Sequence, residues 1–354
     1  MGNIGLGGEE GLLIELIRPR PEPALVRGLA SGVDWDRLFP MSIEQGMFNR
    51  VYLALRDMRL EVSPSIIGRY KWLYETNAAK MMLVDGAMSE IAGAFEENGL
   101  EVVFLKGAQL SRLYGDVSRS MGDIDVLVRP GDMEKSELVL RGLGWGYSDG
   151  VGRGRGYWFG FGHHLPLAND GRPLVDLHWR LFDRYSPLRE DPDILWAGRL
   201  RKRLDGVGYS FLSPINLLTH VCLHLSVSGF FHTAPLRHLY DINTIVSAKG
   251  KFDWAGLVER CRLMGCSAFA YQPLLLASEV LGTTVPCPVL EELRSNSQKR
   301  HLLYVARHSS PGIFTDCSSD YLASDYLWEL FLAKDAASLM NLAYRPLYSM
   351  LSRR

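Results

Sequence analysis

Two aspartates with one apolar residue between them, Asp123-Ile124-Asp125, open the run Asp-Ile-Asp-Val-Leu-Val over 123–128. In an extended strand, residues i and i+2 leave the same face, roughly 6–7 Å apart along the chain. Carboxylates held that close repel one another unless a cation stands between them. Mg2+ takes oxygen ligands, keeps several waters, and typically uses one or two carboxylates together with substrate phosphates. Asp176 lies in a second apolar-Asp-apolar run, Leu174-Val175-Asp176-Leu177-His178. If the two strands are neighbours, three carboxylates and a nucleoside triphosphate could hold two Mg2+ (or Mn2+) ions. One would lower the pKa of an attacking group and the other would stabilise a leaving pyrophosphate. Asp176 is then the expected general base. Asp-x-Asp also occurs on edge strands paired with lysine or arginine. Here Ile124, Val126, Leu127 and Val128 argue for a buried strand, where a carboxylate needs a partner.

The second element is Phe104-Leu105-Lys106-Gly107-Ala108, a strand end followed by a helix start. Free N–H groups at a helix N-terminus suit a phosphate, and Gly107 lets the backbone approach closely. Lys106 adds a charge. Arg119 could clamp a triphosphate bidentately. Arg237 and Asp241 are one helical turn apart, which fits either a structural ion pair or a place at the nucleotide pocket. His178 shares the face of Asp176 and is a candidate for orienting substrate or taking a proton. Arg153 and Arg155, in a glycine-rich stretch, read as a solvated tip or as an anion grip.

Other chemistries fit less well. Gly146-Tyr147-Ser148-Asp149-Gly150 has hydrolase-elbow spacing, but a helix pattern precedes it and a glycine-rich run follows. His220 and His224 share a helix face, but Val221 stands where a zinc protease carries glutamate. They read as packing histidines. Neither a phosphate-loop lysine motif nor a dinucleotide-binding glycine motif is present.

These residues need elements to hold them. Residues 1–98 read as helical. Val51, Leu53, Leu55 and Met58 share one face, and Pro64 opens a further helix. Ala78–Asn98 carries Met82, Leu83, Ala87, Ile91 and Phe95 on one face. Residues 99–195 alternate strand and helix: strands over 100–105, 124–128 and 174–179, helices over 108–114 and 132–143, and a glycine-rich loop or hairpin over 142–162. Residues 196–354 turn helical from Ser213, with Pro214 and Pro235 at helix starts and Asp253 as an N-cap.

With 354 residues, the chain is long enough for two or three domains. Its formal net charge of -1 counts against nucleic acid as an obligate partner. The 5 cysteines form no Cys-x-x-Cys pair, which fits buried thiols in a reducing cytoplasm. No apolar run approaches the length of a membrane span, and no signal peptide is expected.

The pieces Leu105-Lys106-Gly107, Leu113-Tyr114-Gly115 and Arg119-Ser120-Met121-Gly122-Asp123-Ile124-Asp125-Val126-Leu127-Val128 resemble the bacterial uncharacterised nucleotidyltransferase family, of the DNA-polymerase-β type. His163-His164-Leu165-Pro166-Leu167, Val175-Asp176-Leu177-His178-Trp179 and Leu236-Arg237-His238-Leu239-Tyr240-Asp241-Ile242 fit the same family, from about residue 30 to 345. The resemblance implies an α+β fold, with a mixed sheet flanked by helical N- and C-terminal regions. It implies metal ligands at Asp123, Asp125 and Asp176, and nucleotide phosphates near Gly107. The expected reaction moves an NMP from an NTP to a small molecule, peptide or protein. The wider superfamily carries Gly-Gly or Gly-Ser in the phosphate turn. Gly107-Ala108 keeps only backbone donors there. A nucleotide- or partner-binding module without turnover, or a toxin-like enzyme acting on tRNA, fits the same residues.

Overall fold

A computed structural model of the chain describes residues 8–147, 158–160, 162–182, 188, 192–228, 234–248 and 250–309. Arg153, Arg155, Ser148 and the chain beyond 309 lie outside the described residues.

Five helices come first: α1 (Gly8–Ile17), α2 (Pro23–Ala30), α3 (Trp35–Glu44), α4 (Phe48–Met58) and α5 (Pro64–Glu97). Ser63 caps α5 by accepting from the Ile66 N–H, and Pro64 fills the first turn, where an N–H would have no partner. The helix runs unbroken for 34 residues, so the expected starts at Pro64 and Ala78 belong to one element. Its buried stripe is Met81, Val84, Met88, Ile91 and Phe95, whereas Met82 and Leu83 are 76% and 59% exposed. Three- and four-residue steps from Met81 set this phase, and it turns positions 82 and 83 about 100° and 200° away.

A seven-stranded sheet follows, in the order β3-β4-β5-β2-β1-β7-β6. The strands are β1 (Val103–Phe104), β2 (Asp123–Leu127), β3 (Gly146–Tyr147), β4 (His164–Ala168), β5 (Leu174–His178), β6 (Leu200–Leu204) and β7 (Val207–Phe211). β2 and β5 are parallel neighbours, as are β1 and β7; the remaining pairs are antiparallel. Helices α6 (Lys106–Tyr114) and α7 (Met133–Gly142) lie between strands in sequence. The hairpin β6–β7 turns at Asp205-Gly206, both with positive φ (48° and 84°). Such turns match the twist of the strands they join. This hairpin belongs to the sheet although it lies beyond the expected boundary at residue 195.

Two hydrophobic cores flank the sheet. Ile124, Val126, Val128, Val175 and Leu177 pack with the second half of α5, with Met133 and Leu140 of α7, and with Trp145. On the other side, Leu127 joins a core that includes α1, α4 and the helices Pro214–Leu223, Pro235–Val246 and Ser267–Leu281. The N-terminal and C-terminal helices thus share one core. No helix among the described residues is long and apolar enough to cross a membrane.

Candidate active site

Alternation along β2 sends Ile124 and Val126 into the α5 side of the sheet, which leaves Asp123, Asp125 and Leu127 on the opposite face. On β5, Leu174, Asp176 and His178 take that same face. The parallel register pairs Asp125 with Asp176 and Leu127 with His178. Asp125 is 3% exposed, and Asp123 and Asp176 are half-buried.

Asp125 is the centre of the network. Its Oδ1 lies 3.0 Å from His178 Nε2, and its Oδ2 lies 3.7 Å from Lys106 Nζ. Burial alone would raise the Asp125 carboxyl, but Lys106 and the His178 hydrogen bond hold it well below the usual carboxylate range. Asp125 is therefore ionised. Burial raises Asp123, and the Asp125 charge adds to the rise. Asp176 is pushed up to about 7 by burial and by the Asp125 and Asp123 charges. Three carboxyl groups with one lysine are an electrostatically unfavourable set, which a divalent cation would relieve.

The donor set fits such an ion. Asp125 Oδ2 is buried and has no hydrogen-bond partner. One ligand atom from each of Asp125, Asp176 and His178 lies within 4.8 Å of the others. Asp123 is not part of that close group, although its charge couples to both aspartates.

Lys106 opens α6, and Leu105 before it supplies no side-chain cap. The Leu105 N–H donates to the Asp125 carbonyl at 3.0 Å, which locks the start of α6 onto β2. Gly107 lies in the first turn, where a Cβ would stand 3.4 Å from Met121 Cε. Gln109 then bonds both the N–H and the C=O of Leu212, tying α6 to the end of β7. The loop before β2 is held from outside: Asn49 of α4 donates to the Ser118 carbonyl, and Asn77 of α5 donates to the Val117 carbonyl.

Arg119 and Asp241 are brought together, and with each other. Arg119 Nε and Nη2 meet the Asp241 carboxylate at 2.9 and 3.0 Å, and Tyr114 Oη donates to it at 2.7 Å. Both side chains are buried. Asp241 holds Arg119 above the ordinary guanidinium value against the opposing effect of burial. Arg237 is left outside this pair. Its Nε is buried without a hydrogen-bond partner, and among the described residues its guanidinium makes no ion pair. Burial lowers its pKa, Arg119 adds to that, and the Asp241 and Asp123 charges oppose it.

Further histidines surround this face: His220, read from the sequence as a packing residue, and His163 and His164, which entered only through the family resemblance. Burial lowers His220 to about 3, and it sits within electrostatic range of Lys106, Asp125 and His178. His163 and His164 stand beside His178, with ring centroids 5.4 and 5.0 Å from it. Their sequence signal was a His-His pair opening a β4-like alternation.

Comparison with known proteins can now be set beside this geometry. A family model described as an uncharacterised nucleotidyltransferase matches residues 31–282. The chain belongs to this nucleotidyltransferase family. The match spans α3 to α5, the whole sheet and the helix carrying Arg237 and Asp241. The crystal structure of an antigenic nucleotidyltransferase-like protein from Paracoccidioides brasiliensis is similar at 16% identity and a TM-score of 0.35. It covers 58% of this chain and 94% of its own. No curated protein matches.

Proposed function

We propose that this nucleotidyltransferase moves an NMP from an NTP to an acceptor nucleophile on a small molecule, peptide or protein, and releases pyrophosphate. The observation that carries the reading is the pairing of Asp125 with Asp176 across β2 and β5, beside Lys106 at the open start of α6.

Asp123, Asp125 and Asp176 would hold Mg2+ or Mn2+ together with the NTP phosphates. When bound, the metal supplies charge neutralisation for the phosphates and the leaving pyrophosphate. The chain's own residues do the rest. The uncapped N–H groups at Lys106 and Gly107, with the Lys106 ammonium, bind phosphate oxygens. Arg237 offers a guanidinium that no carboxylate among the described residues engages, so it is available for the triphosphate. The buried Arg119–Asp241 pair positions rather than binds. It joins the loop before β2 to the Pro235–Val246 helix and so places Arg237 near Asp123. His178 orients Asp125 through its Nε2 contact.

Asp176 is half-buried and faces the site, and it accepts the proton of the acceptor nucleophile. The nucleophile then forms a bond to the α-phosphorus as the bond to the bridging oxygen of pyrophosphate breaks. The formal net charge of -1 favours an acceptor other than nucleic acid.

The test is incubation of the purified full chain with Mg2+, each α-labelled NTP and a cell extract. Label should pass to an acceptor with wild-type protein and fail to pass with Asp125→Asn. Titration calorimetry with Mg2+·NTP separates a binder from a transferase. Binding without label transfer would overturn the reading.

A further inference from the structure

Three histidine rings converge beside the carboxylates. His164 opens β4 and pairs in register with His178 on β5. His163 precedes it at a bend, where its carbonyl accepts from the Trp179 N–H at 3.2 Å. The ring centroids are 4.6 Å apart for His163 and His164, 5.4 Å for His163 and His178, and 5.0 Å for His164 and His178. One ring nitrogen from each lies within 4.8 Å of the other two.

Packing alone does not account for the group. His178 is 6% exposed, and its Nδ1 has no hydrogen-bond partner. A buried nitrogen left without a partner is destabilising. Its other nitrogen, Nε2, meets Asp125 Oδ1. A carboxylate oxygen accepts, so Nε2 is the donor in this contact and Nδ1 presents a lone pair. A carboxylate fixing one nitrogen of a histidine while the other faces outward is the arrangement that orients metal-bound histidines.

We propose that His163, His164 and His178 form a second cation site, for a divalent transition metal of the zinc class. Imidazole nitrogen suits Zn2+, whereas Mg2+ is taken by carboxylate oxygen. Three histidines also leave a fourth position for water or a ligand. Tetrahedral bonds of about 2.0–2.1 Å place ligand nitrogens roughly 3.3 Å apart, so the rings, whose nitrogens lie within 4.8 Å of one another, would have to draw in around the ion. Asp125 serves this site from behind, through His178. The site stands on the histidine geometry and does not depend on NMP transfer.

The full chain, stripped of metal by a chelator, would be titrated with Zn2+ against a competing chelator. One tightly held ion is expected. His163→Ala and His164→Ala should each weaken it at least tenfold, and Asp123→Asn should leave it unchanged. X-ray absorption at the zinc edge of the wild-type chain needs no variant, and should give a shell dominated by imidazole nitrogen. Failure of the wild-type chain to hold Zn2+, an oxygen-dominated shell, or Zn2+ affinity lost in Asp176→Asn but kept in both histidine variants would overturn the proposal.

Discussion

Asp125 and Asp176 are direct partners across the β2–β5 ladder, two carboxylates on one face of one sheet. Like charges directly opposite in a ladder destabilise it, so this pair is a cost that the ligand-free protein carries. Asp176, pushed up to about 7 from an ordinary 3.8, is destabilising whenever it is ionised in the fold. The unfolded chain releases that proton first, so stability falls as pH rises from about 4 through 7. Asp176→Asn should therefore stabilise the metal-free protein at pH 8, by on the order of 2 kcal/mol. The gain should vanish near pH 3, where the wild-type carboxyl is protonated in both states. Urea melts of both proteins at the two pH values check this. An Asn variant less stable at pH 8 would remove the electrostatic argument.

The same substitution should abolish transfer. Losing a positioned base costs about 10^2- to 10^4-fold. Initial rates of label transfer with saturating Mg2+·NTP measure it. A variant that is more stable and still fully active would exclude Asp176 from the reaction.

Arg119 and Asp241 predict the opposite balance. Breaking a buried pair from one side leaves an uncompensated charge and costs about 3–5 kcal/mol. Arg119→Met and Asp241→Leu should each lower the denaturation midpoint strongly. The double variant should recover much of the loss, because neither charge is left alone. Tyr114→Phe removes one hydrogen bond of 2.7 Å to Asp241 and should cost about 1–2 kcal/mol. Additive single and double effects in a chemical-denaturation cycle would show that the pair is not coupled.

The carboxylate site was more legible in the sequence than the sheet around it. Asp-Ile-Asp in an apolar run fixes its own face by alternation, and Asp176 repeats the pattern, so both needed only local rules. β6 and β7 carried a signal that composition hid: Asp205-Gly206 is a two-residue turn between alternating segments, but β6 (Leu-Arg-Lys-Arg-Leu) is exposed along its whole length and lacks the apolar face by which a strand is recognised. The Arg119–Asp241 pairing was not legible, because 122 residues separate the partners and only the packing of the loop before β2 on the Pro235–Val246 helix joins them. Spacing instead suggested Arg237 as the partner of Asp241. The convergence of His163 and His164 on His178 likewise depends on the β4–β5 register, which no local pattern contains.

Arg237 separates binding from stability. Its guanidinium makes no ion pair among the described residues, and Gly46, at φ 65°, gives it room: a Cβ there would stand 3.0 Å from its Cδ. Arg237→Met should leave the ligand-free melting temperature unchanged or raise it. Mg2+·NTP affinity should fall about ten- to a hundredfold, the worth of a charge-assisted hydrogen bond. Calorimetric titration and a thermal melt on the same preparation suffice. A collapsed melt with unchanged affinity would make Arg237 structural.

Acid should unfold the protein through its buried histidines. Burial lowers His220 and His238 to about 3 from an ordinary 6.5. His238 Nδ1 lies 3.0 Å from the Ala234 carbonyl and must donate its proton there. Its Nε2 then accepts from His224 Nδ1 at 3.1 Å. Protonating His238 would set two donors against each other, which is a second reason it stays neutral. Above pH 6.5 these groups are neutral whether folded or not, and they contribute no pH dependence. Below it the unfolded chain takes up protons that the fold refuses, so stability is lost as pH falls from about 6.5 toward 3. The expected loss is about 1.4 kcal/mol per histidine for each pH unit in that window. His238→Gln should flatten the slope of unfolding free energy between pH 6 and 4 by about that amount, even if it lowers stability at pH 7. An unchanged slope would show that His238 is already protonated in the fold, or that the acid transition belongs to other groups.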